Sequence, residues 1–247
     1  MSADVALVTG GASGVGLAIA HALHAAGFRV AIGDIDEAGA RRAAEAIDPS
    51  GDSAIGLPLD VRQESAFAAA RDALLARWGS VEALVNNAAA TAAKPVLDIT
   101  PEEFDAVIAV NLRGTFIGSQ VFGRLFKARG YGRMVNLASL AGQNGGTATG
   151  AHYAASKGGI ITLTKVFARD LAPFGVTANA IAPGPLDTPM VHETISPDRM
   201  EQFKANVPVG TLGDPAFVGS MVTRLCARDA GFITGATIDI NGGLYMR

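Results

Sequence analysis

Short β-branched apolar runs alternate with longer alanine-rich stretches of helical period along nearly the whole chain. The alternation begins with Val5-Ala6-Leu7-Val8, a helical stretch near 15 to 26, and Phe28-Arg29-Val30-Ala31-Ile32. Further strand candidates are Ala54 to Leu59, Ala83 to Asn86, Arg133 to Leu137, Val176 to Ile181 and Thr237 to Ile240, with helical stretches between them. Strands separated in this way cannot be hairpin partners; they need right-handed crossovers, which cover both faces of a parallel sheet. The expected fold class is therefore α/β: a Rossmann-type, doubly wound parallel sheet of about seven strands with helices on both faces.

No repeat, low-complexity tract or long linker divides the 247 residues, and 49% hydrophobic content supplies one continuous core, so 1–247 reads as a single domain. The segment from Pro183 to about Pro208 breaks the rhythm with five prolines and a short polar helical stretch, which suggests a substrate flap at about 184–208. A net charge of -3 with no run of five like charges argues against nucleic acid as a partner. The first residues lack the basic start of a signal peptide, and no apolar run approaches the roughly 20 residues of a membrane span, so a cytoplasmic protein is expected. The lone Cys226 reads as a helix core thiol, not a reactive one. His21 and His24 have a spacing compatible with metal ligands, but no carboxylate or cysteine cluster completes a site, and no metal is expected.

Thr9-Gly10-Gly11-Ala12-Ser13-Gly14-Val15-Gly16 follows the first strand and opens the first helix. Glycines there let backbone approach a pyrophosphate, and the helix N-terminus offers unpaired N–H groups and a partial positive charge. The spacing is wider than the G-x-G-x-x-G of ordinary Rossmann dehydrogenases. Gly10, Ser13, Gly14, Val15 and Gly16 are the candidate phosphate cradle. Asp34, ending the second strand, can accept hydrogen bonds from both ribose hydroxyls and would repel a 2′-phosphate; the alternative is that Asp34, with Asp36, caps the next helix. Ser13 in place of a basic residue agrees with NAD over NADP. Asp60-Val61 can hold the adenine, or Asp60 can cap the helical stretch from Gln63 to Trp78.

At the chemical end, Tyr153 and Lys157 stand four residues apart in a helical stretch running to about Leu171, which places both on one face. A phenol titrates near 10, and a nearby ammonium would lower it, making Tyr153 a proton donor or acceptor at neutral pH. Ser139, closing Asn136-Leu137-Ala138-Ser139, lies at the carboxyl edge of the sheet, where it either holds a substrate oxygen or serves as a strand-end turn residue. His152, adjacent to Tyr153, points elsewhere and reads as pocket rim or solvent-facing.

Taken together, the Thr9–Gly16 turn, Asp60-Val61, Asn86-Asn87-Ala88, Asn111 before Leu112-Arg113-Gly114, Ser139, Tyr153 with Lys157, Pro183-Gly184 with Thr188, and Asn241-Gly242-Gly243 give a chain that resembles the short-chain dehydrogenase/reductase family over residues 5 to 243. The resemblance implies a catalytic quartet of Asn111, Ser139, Tyr153 and Lys157. In it Tyr153 is the general acid/base, Ser139 orients substrate, Lys157 lowers the tyrosine pKa and binds the nicotinamide ribose, and Asn111 holds a water in a proton relay. It places Asn87, Ala88, Pro183, Gly184, Leu186 and Thr188 against the cofactor, alongside Tyr153 and Lys157. It also implies a homotetramer built on the helices near 101 to 127 and 152 to 172, with Leu244 to Arg247 at another interface. Where the family usually has glycine after Asn86-Asn87-Ala88, this chain has Ala89, from which a slightly altered cofactor affinity is expected.

The function this implies is NAD(H)-dependent interconversion of a secondary alcohol and a ketone. Two alternatives remain: a 3-oxoacyl-thioester reductase, suggested by the Gly235 to Met246 ending but disfavoured by Asp34, since such reductases of the family usually take NADPH, and a nucleotide-binding regulator without chemistry, which the intact quartet disfavours. The pocket walls, Ala90 to Val96, Leu140 to Gly150 and Met190 to Val207, carry Gln143, Asn144, Thr147, Met190 and His192 among small residues. No arginine or lysine neighbours Ser139 in sequence, although Lys94 or Lys204 can fold over the site. A small or medium, largely uncharged substrate is expected.

Overall fold

The computed structural model describes residues 3–146, 149–188, 191–192 and 196–246. Its seven strands are β1 Val5–Thr9, β2 Arg29–Asp34, β3 Ala54–Pro58, β4 Ala83–Asn86, β5 Gly132–Leu137, β6 Val176–Pro183 and β7 Thr237–Ile240. They form one sheet in the order β3-β2-β1-β4-β5-β6-β7, and every neighbouring pair is parallel. The helices that make these crossovers are α1 Gly14–Ala25, α2 Glu37–Ile47, α3 Glu64–Trp78, α4 Pro101–Ile108, α5 Gly114–Arg129, α6 Ala141–Asn144, α7 Ala151–Leu171, α8 Pro197–Ala205 and α9 Pro215–Cys226.

Strand pleating divides the core. In β1, Ala6 and Val8 join Ile19, Leu23, Val218 and Val222 on the face covered by α1, α2 and α9. Val5 and Leu7 join Phe67, Leu74, Phe122 and Phe126 on the face covered by α3, α5 and α7. The three phenylalanines are fully buried and pack ring against ring, with centroids 6.5 and 6.0 Å apart. Burial of each such ring contributes on the order of 2 kcal/mol.

Two features differ from the sequence expectation. β2 starts one residue later than expected, though it ends at Asp34 as expected, and β6 extends to Pro183. The helix expected over 101 to 127 is interrupted by a π-helical turn at Ala109–Arg113, with Asn111 at its centre. Such a turn frees local backbone bonding and marks functional positions in many helices. Cys226 is buried, and burial pushes its thiol up to about 12, as suits a structural role.

Strand order reverses direction at β1: its crossover leads to β2 on one side, while β4, on its other side, leads on to β5. The carboxyl ends of β1 and β4 therefore flank the crevice where ligands of such sheets bind.

Candidate active site

Hydrogen bonds from one residue tie the two loops at this crevice together. Thr9 Oγ1 donates to Val85 O (3.3 Å) and accepts from the N–H groups of Asn87 (3.0 Å) and Ala88 (3.1 Å). Asn87 Nδ2 returns two bonds, to the carbonyls of Thr9 and Gly10, both at 3.0 Å. The packing requires glycine. Gly10 has φ +62°, and a Cβ on it would lie 2.7 Å from Ala88 Cα; a Cβ on Gly16 would lie 2.0 Å from Gly10 O.

The start of α1 is left open. Its N-cap residue, Ser13, makes no side-chain cap bond, and its first turn carries no acidic residue. The N–H groups and positive dipole end thus face a cleft of about 460 Å³ that runs past Ser13 to Asp34. Gly14 faces open space, so nothing crowds the approach of a diphosphate. These features fit a dinucleotide.

Asp34 does not cap α2; Asp36 does, accepting from Gly39 N at 3.0 Å. Asp34 instead accepts from Ala12 N in the glycine-rich loop and from Asp36 N, each at 3.1 Å. A carboxylate has about four acceptor sites, so both oxygens retain capacity for ribose hydroxyls. Asp60 does not cap α3 either: the N-cap there is Gln63, without a side-chain bond, and Asp60 binds Arg62 through its backbone N–H, Nε and Nη2. Arg62 thus occupies the carboxylate expected for adenine and holds it below the usual range. Val61 is buried against Gly114. Ala89 is exposed and its φ is not positive, so alanine strains nothing there.

On the other side of the crevice, Ser139 lies two residues beyond β5 and Tyr153 in the first turn of α7; the serine hydroxyl lies beside the phenol and acts to lower its pKa. Ser139 Oγ also accepts from Ala141 N at 3.1 Å, which fixes its position. Lys157 is 3% exposed, donates to Leu137 O at 2.6 Å, and has its Nζ 5.5 Å from the Tyr153 ring centroid. The expected effect of the lysine on the tyrosine is not what the chain alone provides. Burial pushes the phenol above its ordinary 10, opposed by the Ser139 hydroxyl, while burial brings Lys157 down to about 8.

Asn111 is fully buried and clamps the loop segment beyond β4 to α7. Its Oδ1 accepts from Ala90 N (2.7 Å), and its Nδ2 donates to Ala90 O (2.9 Å) and Ser156 Oγ (3.0 Å). Ser156 Oγ in turn donates to Tyr153 O at 2.7 Å. The carbonyl of Asn111 accepts from Thr115 Oγ1 at 2.7 Å. Ser156 was not singled out from sequence; its place three residues after Tyr153, on the same helix face, was the available signal. His152 is 1% exposed, which overturns the rim or solvent-facing expectation: its ring packs against Gly150, and its Nδ1 accepts from Tyr153 N at 2.9 Å.

At the far wall, Gly184 N donates to Ile240 O (2.8 Å), and Pro183 O accepts from Leu140 N (2.9 Å), joining the ends of β5, β6 and β7. Leu186 is buried in the core, and the Thr188 carbonyl accepts from Val191 N (3.0 Å). Gln143 Nε2 donates to Asp239 at 2.6 Å, and His192 binds Asp187 at 2.5 Å. Lys94 pairs with Glu103 (2.7 Å) and Lys204 with Glu201 (3.1 Å). Thr147 and Met190, expected in the walls, lie outside the described residues. His24 bonds Ser53 Oγ at 2.8 Å, and no metal-capable group of His, Cys, Asp and Glu occurs among the described residues.

The family model described as enoyl-(acyl carrier protein) reductase matches residues 10–245. The chain belongs to the short-chain dehydrogenase/reductase family. It is 40% identical over 245 residues to the acetoacetyl-CoA reductase of Rhizobium meliloti, covering 98% of each chain. It is 36% identical over 246 residues to a 3-oxoacyl-(acyl-carrier-protein) reductase of Vibrio cholerae, covering 100% of this chain and 99% of the other. A 4-formylbenzenesulfonate dehydrogenase of Comamonas testosteroni is 38% identical over 248 residues, with 98% of each covered. Among solved structures, a protein described as a candidate gluconate dehydrogenase from Agrobacterium tumefaciens superposes with TM-score 0.91 at 33% identity, over 98% of this chain and 95% of that one. This short-chain dehydrogenase/reductase is accordingly an oxidoreductase.

Proposed function

We propose that the chain uses NAD(H) to interconvert the 3-oxo and 3-hydroxy forms of an acyl thioester. The observation that carries the chemistry is the Tyr153 phenol beside Ser139, with the buried Lys157 one helical turn along and its Nζ 5.5 Å from the phenol ring centroid. The substrate class is supported by the relatives from Rhizobium meliloti and Vibrio cholerae, named for acetoacetyl-CoA and 3-oxoacyl groups. This shifts the expectation from a small uncharged ketone to a thioester. The two are chemically close at the reacting centre: a thioester is neutral there, and its anionic carrier lies at the end of a long arm. That Lys94 and Lys204 are paired with carboxylates is compatible with such a substrate. NAD(H) over NADP(H) is supported by Asp34 at the end of β2.

When bound, the nicotinamide supplies or accepts the hydride. The residues manage the oxygen and its proton. Ser139 Oγ donates a hydrogen bond to the carbonyl oxygen, fixing it beside Tyr153. As negative charge grows on that oxygen, the Tyr153 hydroxyl transfers its proton and leaves a neutral alcohol. The resulting phenolate is stabilised by the Lys157 ammonium, and Asn111, in the role that the family resemblance implies, holds a water that returns the proton. Burial, by keeping Tyr153 protonated, suits it to the donor's role.

A second reading, oxidation of a small hydroxy compound or aldehyde, draws on the likeness to the Comamonas testosteroni and Agrobacterium tumefaciens proteins. Turnover of an acetoacetyl thioester with NADH, set against a panel of small alcohols and aldehydes with NAD, separates the two. Activity confined to the small alcohols or aldehydes would displace the thioester reading.

A further inference from the structure

The cleft that takes the adenosine end in this account contains a cation with no part in it so far. Arg42, on the second turn of α2, lines the cleft with Ser13, Asp34 and Asp36. Asp36 divides its carboxylate between two tasks. Oδ1 accepts the Gly39 N–H at 3.0 Å and caps α2, while Oδ2 lies 3.7 Å from Arg42 Nη2. A Cβ on residue 39 would sit 2.4 Å from that Oδ2, so only glycine leaves the carboxylate room to fold back in this way.

We propose that Arg42 is a latent ligand for a 2′-phosphate on the adenosine ribose, held in check by Asp36, so that Asp34, Asp36 and Arg42 together set the choice between NADH and NADPH. The proposal rests on the reading of this cleft as a nicotinamide dinucleotide site. Two carboxylates and one guanidinium face it, and the balance disfavours a group carrying extra negative charge. The restraint on Arg42 is slight, because its side chain and that of Asp36 are 70% and 59% exposed and their contact is long. A guanidinium presents forked donors that match a phosphate better than the single carboxylate oxygen now opposite it. The backbone N–H of Asp36 is bonded to Asp34 Oδ1, so the three side chains form one contiguous edge of the cleft. Reading cofactor choice from Asp34 alone leaves out two of its members.

Fluorescence titration with NADH and NADPH of wild type, Asp36→Asn, Arg42→Gln and the double variant tests this. Asparagine caps a helix as well as aspartate does, so Asp36→Asn removes the charge and keeps α2. The ratio of NADPH to NADH affinity should rise about threefold in Asp36→Asn, the scale of one exposed ion pair. The double variant should lose most of that gain. Arg42→Gln alone, an exposed change, should lower the ratio. An unchanged ratio in Asp36→Asn overturns the proposal, as does a double variant that keeps the whole gain, since Asp36 then acts by its own repulsion. A wild-type protein that binds neither nucleotide would instead remove the dinucleotide reading on which the proposal stands.

Discussion

Burial acts on Tyr153 and Lys157 in opposite senses, raising the phenol and lowering the ammonium to about 8, and each shift has a measurable consequence. With Tyr153 protonated throughout the neutral range, kcat/KM for carbonyl reduction should stay level up to pH 8 and decline above it as Lys157 loses its charge. A profile that stays level to pH 10 would remove Lys157 from the mechanism. The lysine also bears on stability. Its folded value lies below its unfolded value of 10.5, so between about 8 and 10.5 the unfolded chain binds more protons and stability rises with pH. Holding it charged at pH 7 costs on the order of 3 kcal/mol, of which the bond to Leu137 O returns about 1. Lys157→Met should therefore be inactive yet unfold at the same or a higher temperature, checked by calorimetry at pH 7. Ala89, unstrained and exposed, should tolerate glycine with little change in the NADH dissociation constant. Tightening beyond about threefold in that titration would show that the methyl group crowds the cofactor after all.

At the scale of elements, the strands were legible because β-branched runs bounded by helical stretches have few other solutions. β4 and β7 occupy the residues expected. The π turn at Ala109–Arg113 was not: Asn111 reads as a polar residue in a helix of low propensity for it, and only tertiary contacts with Ala90 and Ser156 make the extra backbone turn worthwhile. The pairing of Asp60 with Arg62 was not legible for a related reason, since Arg62 is an exposed neighbour that no spacing rule selects. His152 also escaped, because adjacency on a helix says which way a side chain points relative to Tyr153 but not what covers it. At the opposite edge of the sheet, Arg133 is 3% exposed and donates to the carbonyls of Gly132, Gly175, Ala227 and Arg228, stapling three connections. Arg133→Met should lower the unfolding free energy by about 3 kcal/mol in urea, since several buried carbonyls lose their donor. Because Arg133 is remote from the crevice, kcat should be unaffected; a fall in kcat with no loss of stability would contradict that assignment.

For the whole molecule, topology followed from the crossover rule, and the site from where strand order reverses. Assembly does not follow from either. Phe104, Phe116 and Val166, on α4, α5 and α7, are each more than a third exposed, as are Phe217 on α9, Phe232 and Met246 towards the end of the chain. Apolar residues grouped on those helices and near the carboxyl end agree with the two interfaces that the family resemblance implies, and light scattering should give about 100 kDa, four chains of 25.2 kDa. A mass near that of one chain would show these faces to be covered by something else or by nothing. Substrate identity was the least legible feature, because the walls are small residues whose few polar groups are partly engaged with one another, as Gln143 Nε2 is with Asp239, and no sequence pattern says which atoms stay free. The most direct test of the account is the steady-state rate of acetoacetyl-thioester reduction by NADH in wild type and Tyr153→Phe. Turnover in wild type with a loss of about a thousandfold in the variant is predicted, the scale of a single general acid. Comparable rates in both proteins would contradict the claim that the Tyr153 hydroxyl delivers the proton.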